Sequence, residues 1–319
     1  MKWRLRKEKS LPSVEMRKVF VKALSDLMNV NPDVLALDAD LGIASGWITL
    51  EKSYPAQFID IGIAEANMIG VAAGLSMRGF VPFVHSFSPF ASRRVADQIY
   101  LAGSFAENTI NIYASDPGIC SATNGATHTT FEDIAFMNSV PGMKIFHPAD
   151  SVQLDWLVRT LAKMRGLHYI RASRKAIPDI YEPGSVFKIG RGNLLKKGSD
   201  VLIVSIGELL EDALSAASTL ESAGISTSII DMFTIKPFDV DLIRSQISNK
   251  KIVITLENHS IFGGLGSCVA TVMAISGSGV PLRIIGVEDR HGQVGSFEYL
   301  KQEYGLTSSH IVKVALEVF

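Results

Sequence analysis

An α/β protein of two open-sheet domains is what this sequence predicts. Short apolar runs alternate with helix-like segments along almost the whole chain. Several of the runs are continuously apolar, the pattern of parallel strands covered on both faces. One stretch, residues 176–198, interrupts the alternation with Pro178, Pro183, Gly184, Gly190, Gly192 and Gly198.

Before that break, strands are predicted at residues 34–41, 58–63, 81–87, 109–115, 143–148 and 168–173. Helices are predicted at 14–29, 92–103 and 151–165. The last of these follows Pro148 and opens on Ala149-Asp150-Ser151, a helix start signal. After the break, strands are predicted at 201–207, 226–232, 251–257 and 283–288. The expected domains are therefore 14–189 and 190–319, preceded by a basic arm, residues 1–13. Four of the arm's first seven residues are Lys or Arg. No apolar run follows them, so the arm is not a secretory signal. It reads as a solvated segment, with subunit or anion contact as lesser uses.

Composition narrows the function classes. The chain has 319 residues, 47% hydrophobic and 20% charged, with a formal net charge of -1. That balance gives no bulk attraction to nucleic acid or to an anionic membrane. The longest apolar helix is too short for a membrane span. Cys120 and Cys268 lack metal-ligand spacing and are expected in different domains. Two such cysteines suit a reducing compartment, the cytoplasm, without disulfides.

The stretch IDIGIAEANMIGVAAGLSM, residues 59–77, carries the strongest chemical signal. Glu65 stands in the first turn of a helix with no polar face, which should be buried on most sides. A buried carboxylate needs a partner, and no Lys, Arg or His lies nearby in sequence. Glu65 either complements the helix N-terminus or belongs to a site. Ligands of open α/β sheets bind beyond the carboxyl ends of strands. At such ends stand Glu65, Phe87 and Phe90, Asp116, the loop 121–128 with His128, His147 and Arg174. Each has a plainer account alone: Phe87 and Phe90 as core, His128 as the flank of a helix start, Arg174 as a surface ion pair of little worth. Their shared position makes a joint site the better reading.

In order, IDIGIAEANMIGVAAGL, SFSPFASRRVADQI, NGATH and HPAD resemble the C-terminal half of transketolases. More closely, the chain resembles the second subunit of split, two-chain transketolases, from about Val14 to the end. The resemblance implies a pyrimidine-binding domain followed by a transketolase C-terminal domain, and thiamine diphosphate as cofactor. It assigns Glu65 to the aminopyrimidine ring nitrogen, where a carboxylate promotes the imino tautomer that deprotonates the thiazolium carbon. Phe90 would stack on the pyrimidine and Phe87 would line its pocket. Asp40 matches a pocket-edge acid, with a strand-end polar cap as the equal alternative. His128 matches the histidine that contacts the substrate's carbonyl and hydroxyl groups, and Arg174 the arginine on its terminal phosphate. The run Gly263-Gly264-Leu265-Gly266 lacks phosphate-loop spacing and reads as a structural strand-to-helix turn.

Two departures bear on substrate. The family's Gly-Glu-Asp-Gly is here Ala122-Thr123-Asn124-Gly125, so Asn124 replaces a sugar-reading Asp. Asp116 stands where many transketolases have a phosphate-contacting His, and a carboxylate repels phosphate. Both point to a specialised ketol transfer, to an unphosphorylated or differently activated acceptor. No Gly-Asp-Gly motif for Mg²⁺ occurs in the sequence. The resemblance then implies a separate N-terminal-type subunit holding the diphosphate and Mg²⁺, with this chain as a homodimer in an α2β2 assembly. Three alternatives stand beside it. A 2-oxo acid dehydrogenase beta subunit would not carry Gly-Ala-Thr-His. A 1-deoxyxylulose 5-phosphate synthase-like enzyme would carry an Arg where Pro117 stands. A non-catalytic regulatory or assembly subunit would not need Glu65, Phe90 and His128. His85, His259 and His291 have no assigned role, although His85 stands close enough to a strand end to enter the pocket.

Overall fold

The computed structural model describes residues 2–8 and 14–319. The chain forms two compact units: Met1–Pro117 with Phe136–Phe187, and Gly118–Ala135 with Lys188–Phe319. Both are open α/β sheets, as the sequence predicts.

The first unit holds β1 (Val34–Asp38), β2 (Phe58–Asp60), β3 (Val81–Phe87), β4 (Ile110–Ser115), β5 (Lys144–Phe146) and β6 (Leu167–Ala172). All six are parallel, in the order β2-β1-β3-β4-β6-β5. Every residue of β1, β3, β4 and β6 is buried, which explains their largely apolar character, while polar residues such as His85, Asn111, His168 and Arg171 are buried among the apolar ones. The chain winds one way from β1 to β2 and the other way from β3 onward. This reversal opens a crevice at the carboxyl ends of β1 and β3. The helix Met16–Val30 packs by a 3.6-residue stripe of Met16, Phe20, Ala23, Leu24 and Met28. Asp150 caps the helix Ser151–Leu161 through the Gln153 amide, at 2.8 Å.

Three expectations change here. The single helix predicted at 92–103 is a 3₁₀ turn, Arg93–Val95, a short α-turn, Ala96–Gln98, and a π-helix, Ile99–Phe105. Asn108 draws the Ala102 carbonyl to its side chain (2.8 Å), and Gly103 lies against the Leu167 methyls. The basic arm is not simply solvated: Lys2 and Val186 exchange backbone hydrogen bonds at 3.0 Å, and Arg4 and Arg6 pair with Glu182 and Asp179. The rest of the arm, residues 1 and 9–13, lies outside the described residues. Finally, the helix Glu65–Met77 is buried on one side only, through Glu65, Met68, Ile69, Ala72 and Ala73. Its opposite side, Ala66, Asn67, Gly70, Gly74 and Met77, is exposed although mostly apolar.

The second unit holds β7 (Asn193–Lys196), β8 (Val201–Ser205), β9 (Thr227–Asp231), β10 (Thr234–Lys236), β11 (Ile252–Ser260) and β12 (Leu282–Val287). Five of these form a sheet in the order β12-β11-β8-β9-β7, parallel except for β7 against β9. The edge strand β7 lies in the Pro- and Gly-rich break, where composition hid it. Val201, Ile203, Ile252, Ile254 and Leu256 pack against Leu220, Ile311 and Ala315. The Gly-rich turn is structural. Glu257 on β11 accepts from the amides of Leu265 and Gly266, both at 2.7 Å, at the start of the helix Leu265–Ile275. The chain's own carboxylate thus fills the place a phosphate would take. A Cβ at Gly264 would lie 2.0 Å from that carboxylate. Because 118–135 packs in this unit, Cys120 and Cys268 share one unit, contrary to the expectation from sequence. Neither is in a disulfide. No helix among the described residues is long and apolar enough to cross a membrane.

His168 on β6 gives a pH-dependent test of the first sheet. Its Nδ1 meets Asn111 Oδ1 at 2.7 Å, while Nε2 is buried without a partner among the described residues. Burial, then the charge of Lys144, pulls the imidazole down to about 3. An unfolded histidine titrates near 6.5. The unfolded chain therefore binds the extra proton, and stability from this group is intact above about pH 6.5. It falls as pH drops, by up to about 1.4 kcal/mol per pH unit. Urea midpoints for the wild type and His168→Gln are expected to converge as pH falls from about 7 to about 5.

Candidate active site

The site in the first unit begins at Glu65. The short strand β2 ends at Asp60, which accepts from the Gly62 amide (2.8 Å) and turns the chain into the helix Glu65–Met77. The first residue of that helix is 4% exposed, so its carboxylate is held away from water. The expected lack of a nearby cation is resolved by topology. Arg94, just beyond the end of β3, donates from Nη1 to Glu65 Oε1 at 2.7 Å. Ser86 Oγ donates to the same oxygen at 3.4 Å. The Arg94 guanidinium also lies over the Phe90 ring, 3.8 Å from its centroid. In the sequence Arg94 stands inside SFSPFASRRVADQI with no role of its own. The signal was its distance from the β3 end, which becomes informative only once β2 and β3 are known to flank β1.

Phe87 closes β3, and Phe90 lies in the turn that follows, with ring centroids 6.3 Å apart and planes at 54°. The turn is fixed from β4: the Ser88 amide and hydroxyl both donate to the Ser115 carbonyl, at 2.9 Å. Ser92 in turn donates to the Ser88 carbonyl (2.5 Å).

Arg174 and Asp116 are brought together. Arg174 donates from its amide to Asp116 Oδ1 (2.8 Å) and from Nε and Nη2 to Oδ2 (both 2.6 Å). Nη1 reaches the Ala44 carbonyl at 3.1 Å, and the guanidinium stands 4.6 Å from the Phe87 centroid. Asp116 is 3% exposed, and its φ of 52° aims the carboxylate back across the β4 end. Every nitrogen of this guanidinium has a protein partner. Asp40 lies two residues past the end of β1, with φ 59°. Its amide donates to Asp60 Oδ1 (3.1 Å), and its own side chain is exposed.

His85 does not enter the crevice. It is fully buried, with Nδ1 at 2.9 Å from Asp38 Oδ2 and Nε2 at 3.0 Å from Ser115 Oγ. Trp47 and Tyr113 flank its ring. Asp38 also accepts from the Leu41 amide (2.5 Å). The arrangement of Ser, His and Asp invites a nucleophile reading, but no substrate can reach it. It ties the ends of β1, β3 and β4 together, and so sets the loops that carry Asp40, Phe90 and Asp116.

Asn124 and His128 belong to the segment Gly118–Ala135 of the second unit. Asn124 is exposed and His128 half-buried, with Nδ1 2.9 Å from Thr127 Oγ1. The segment is pinned by Asn258, a residue with no signal of its own in the sequence. Its Oδ1 accepts from the Ile119 amide (2.9 Å), and its Nδ2 donates to Glu208 (2.5 Å). A Cβ at Gly118 would collide with Asn258 at 2.0 Å, so only glycine, at φ 54°, passes there. His259 is buried, with Nδ1 2.8 Å from the Ser260 carbonyl, and serves the packing of this unit. His291 is exposed.

A sheet with its crevice at a topological switch, a buried acid at a helix start and an aromatic beside it define a class of cofactor-binding α/β chain. Family models agree: residues 12–179 match the transketolase pyrimidine-binding domain and residues 190–311 the transketolase C-terminal domain. The chain belongs to the transketolase family. It is 40% identical to the 6-deoxy-6-sulfo-D-fructose transketolase subunit SqwH of Clostridium sp. (strain MSTE9), over 95% of this chain and 94% of that one. It is 36% identical to an apulose-4-phosphate transketolase subunit of Phocaeicola vulgatus, over 95% and 97%. Among solved structures it matches a split gene transketolase, described as an inactive beta4 tetramer, with a TM-score of 0.86, 36% identity and coverage of 96% and 98%.

Removal of His85 tests the tie between the strand ends. His85→Leu takes the imidazole from the buried Asp38 carboxylate, and a loss of about 2–4 kcal/mol in urea unfolding is expected. His85→Gln, which can still bond Asp38, is expected to lose less.

Proposed function

We propose that this chain is the pyrimidine-binding half of a two-chain, thiamine diphosphate-dependent transketolase. It would move a two-carbon ketol unit from a ketose or ketose phosphate to an aldehyde acceptor. The observation that carries the reading is the pairing of Glu65 with a planar N–H donor that also covers Phe90. That donor is Arg94. A carboxylate and a ring face within reach of one flat donor are the two contacts an aminopyrimidine needs, so the residues fit the group.

When bound, the cofactor supplies the nucleophilic carbon on which the ketol unit is carried. Glu65 would hold the pyrimidine ring nitrogen by a hydrogen bond, strengthened by the removal of the carboxylate from water. Phe90 fixes the ring plane, Phe87 lines the pocket, and Asp40 stands at its edge. His128 donates to, or takes a proton from, the substrate's oxygens, and Asn124 reads a sugar hydroxyl without adding charge. The diphosphate and Mg²⁺ are assigned to a separate subunit. The exposed apolar side of the helix Glu65–Met77, with Leu101 and Phe105 (52% and 81% exposed) on the π-helix packed against it, suits burial against a second protein surface in an α2β2 assembly. We assign the chain to the cytoplasm, where its two cysteines would stay reduced.

Arg174 is the family's candidate for a substrate phosphate, and here Asp116 already neutralises it. This supports an acceptor whose far end is uncharged at this position.

A coupled assay of ketol transfer checks the reading. The chain alone is expected to give no ketol transfer in a coupled assay, and full turnover with its partner subunit, Mg²⁺ and thiamine diphosphate. Glu65→Gln in that complex is expected to lower kcat by about 10²–10⁴-fold while assembly persists; unchanged turnover would leave only a structural role. Asp116→Asn, which releases Arg174, is expected to lower KM for phosphorylated acceptors by roughly tenfold relative to unphosphorylated ones. Efficient wild-type use of xylulose 5-phosphate with ribose 5-phosphate would overturn the substrate assignment.

A further inference from the structure

Arg94 has no part in the proposed reaction, yet it contacts both groups assigned to the aminopyrimidine. Its Nη1 is 2.7 Å from Glu65 Oε1, and its guanidinium carbon is 3.8 Å from the Phe90 centroid. The acid is 4% exposed on a regular helix and cannot follow a departing partner. The arginine is different. Its side chain is 44% exposed and springs from the short turn Arg93–Val95. Its long stem can carry the charge into water without disturbing the fold.

We propose that Arg94 is the built-in occupant of the aminopyrimidine subsite, and that cofactor entry displaces it. The inference rests on the proposed function. A guanidinium and an aminopyrimidine are both flat, both present N–H groups in the plane and both stack by a face. The guanidinium covers the face of Phe90 next to Glu65, and a ring stacked on that face within reach of the carboxylate would take the same space. Arg94 keeps Glu65 from standing buried without a charged partner before the cofactor arrives. The consequence is a lowered apparent affinity: the cofactor binds only the fraction of molecules in which Arg94 has swung out. Arg94 is thus an affinity-setting residue of the site, and the association rate is lowered by the fraction of molecules in which it has swung out.

The test uses the complex of this chain with its partner subunit, saturated with Mg²⁺. Thiamine diphosphate is titrated by calorimetry, and its association rate is followed by the quench of intrinsic fluorescence. Arg94→Ala is expected to tighten Kd by roughly three- to tenfold and to speed association. Arg94→Lys, which keeps the charge but not the flat stacking group, is expected between Arg94→Ala and the wild type. Thermal midpoints of the complexes confirm that each variant is folded, and the Lys variant carries the test if the Ala variant is not. Wild-type binding with equal or weaker affinity in the variants would overturn the inference alone, making Arg94 a ligand of the cofactor rather than its competitor. No binding of thiamine diphosphate to the wild-type complex would reject the proposed function and the inference together.

Discussion

A buried carboxylate must have a partner, and the first unit is arranged around satisfying that demand at Glu65. Glu65 begins a helix that must start at the end of β2. The partner comes from the end of β3, beyond β1 in the sheet order. The Phe90 ring beneath the guanidinium is held by the turn that Ser88 and Ser92 fasten to β4. A shift of one strand end would therefore break an ion pair, a ring contact and a turn together. Such shared dependence preorganises the acid, the ring and the turn, which are held from three strand ends, and leaves the half-exposed Arg94 as the group free to move.

Beneath this surface layer lies a second, wholly buried one. Asp38, His85 and Ser115 bond across β1, β3 and β4, and each stands within a few residues of a loop that faces the crevice. Polar groups are costly inside a sheet, so their presence needs a reason beyond stability. Fixing the relative heights of three parallel strand ends is such a reason, since backbone hydrogen bonds set register but leave the emerging loops soft. The second unit uses the same device differently: Asn258 reaches from β11 to pin the segment that carries Asn124 and His128, and Gly118 is the residue that lets it approach.

Much of this was legible in the sequence, and the remainder was hidden for physical reasons. The strands with both faces covered, β1, β3, β4 and β6, announced themselves as largely apolar segments, although each also buries polar residues. The edge strand β7 did not, because antiparallel pairing at an edge needs no continuous apolar face. The acid Glu65 was visible as a charge out of place. Its partner Arg94 was not, because 29 residues separate them and only the crossover brings them together. The helix Glu65–Met77 misled in one respect: an all-apolar sequence was read as burial within the chain, whereas one side is left exposed. Apolar residues record what a surface will finally meet, and that can be another protein.

The pairing of Asp116 with Arg174 shows how a substrate preference can change without loss of the binding residue. The arginine remains on β6's end, its guanidinium near Phe87, but each nitrogen is already engaged by the carboxylate or by the Ala44 carbonyl. An incoming dianion would face a pair with no net charge, and would have to displace a buried carboxylate at 2.6 Å to gain the cation. A hydroxyl asks for no such exchange, since it can add to the pair as donor or acceptor. Deleting the arginine would have left a hole beside Phe87; masking it keeps the wall intact and alters only the charge. In both crevice pairs, Glu65 with Arg94 and Asp116 with Arg174, an arginine lies near a phenylalanine and is held by a buried acid. The difference is mobility. Arg174 is 18% exposed and bonded through three nitrogens, so it stays, whereas Arg94 is 44% exposed and held through one, so it can leave.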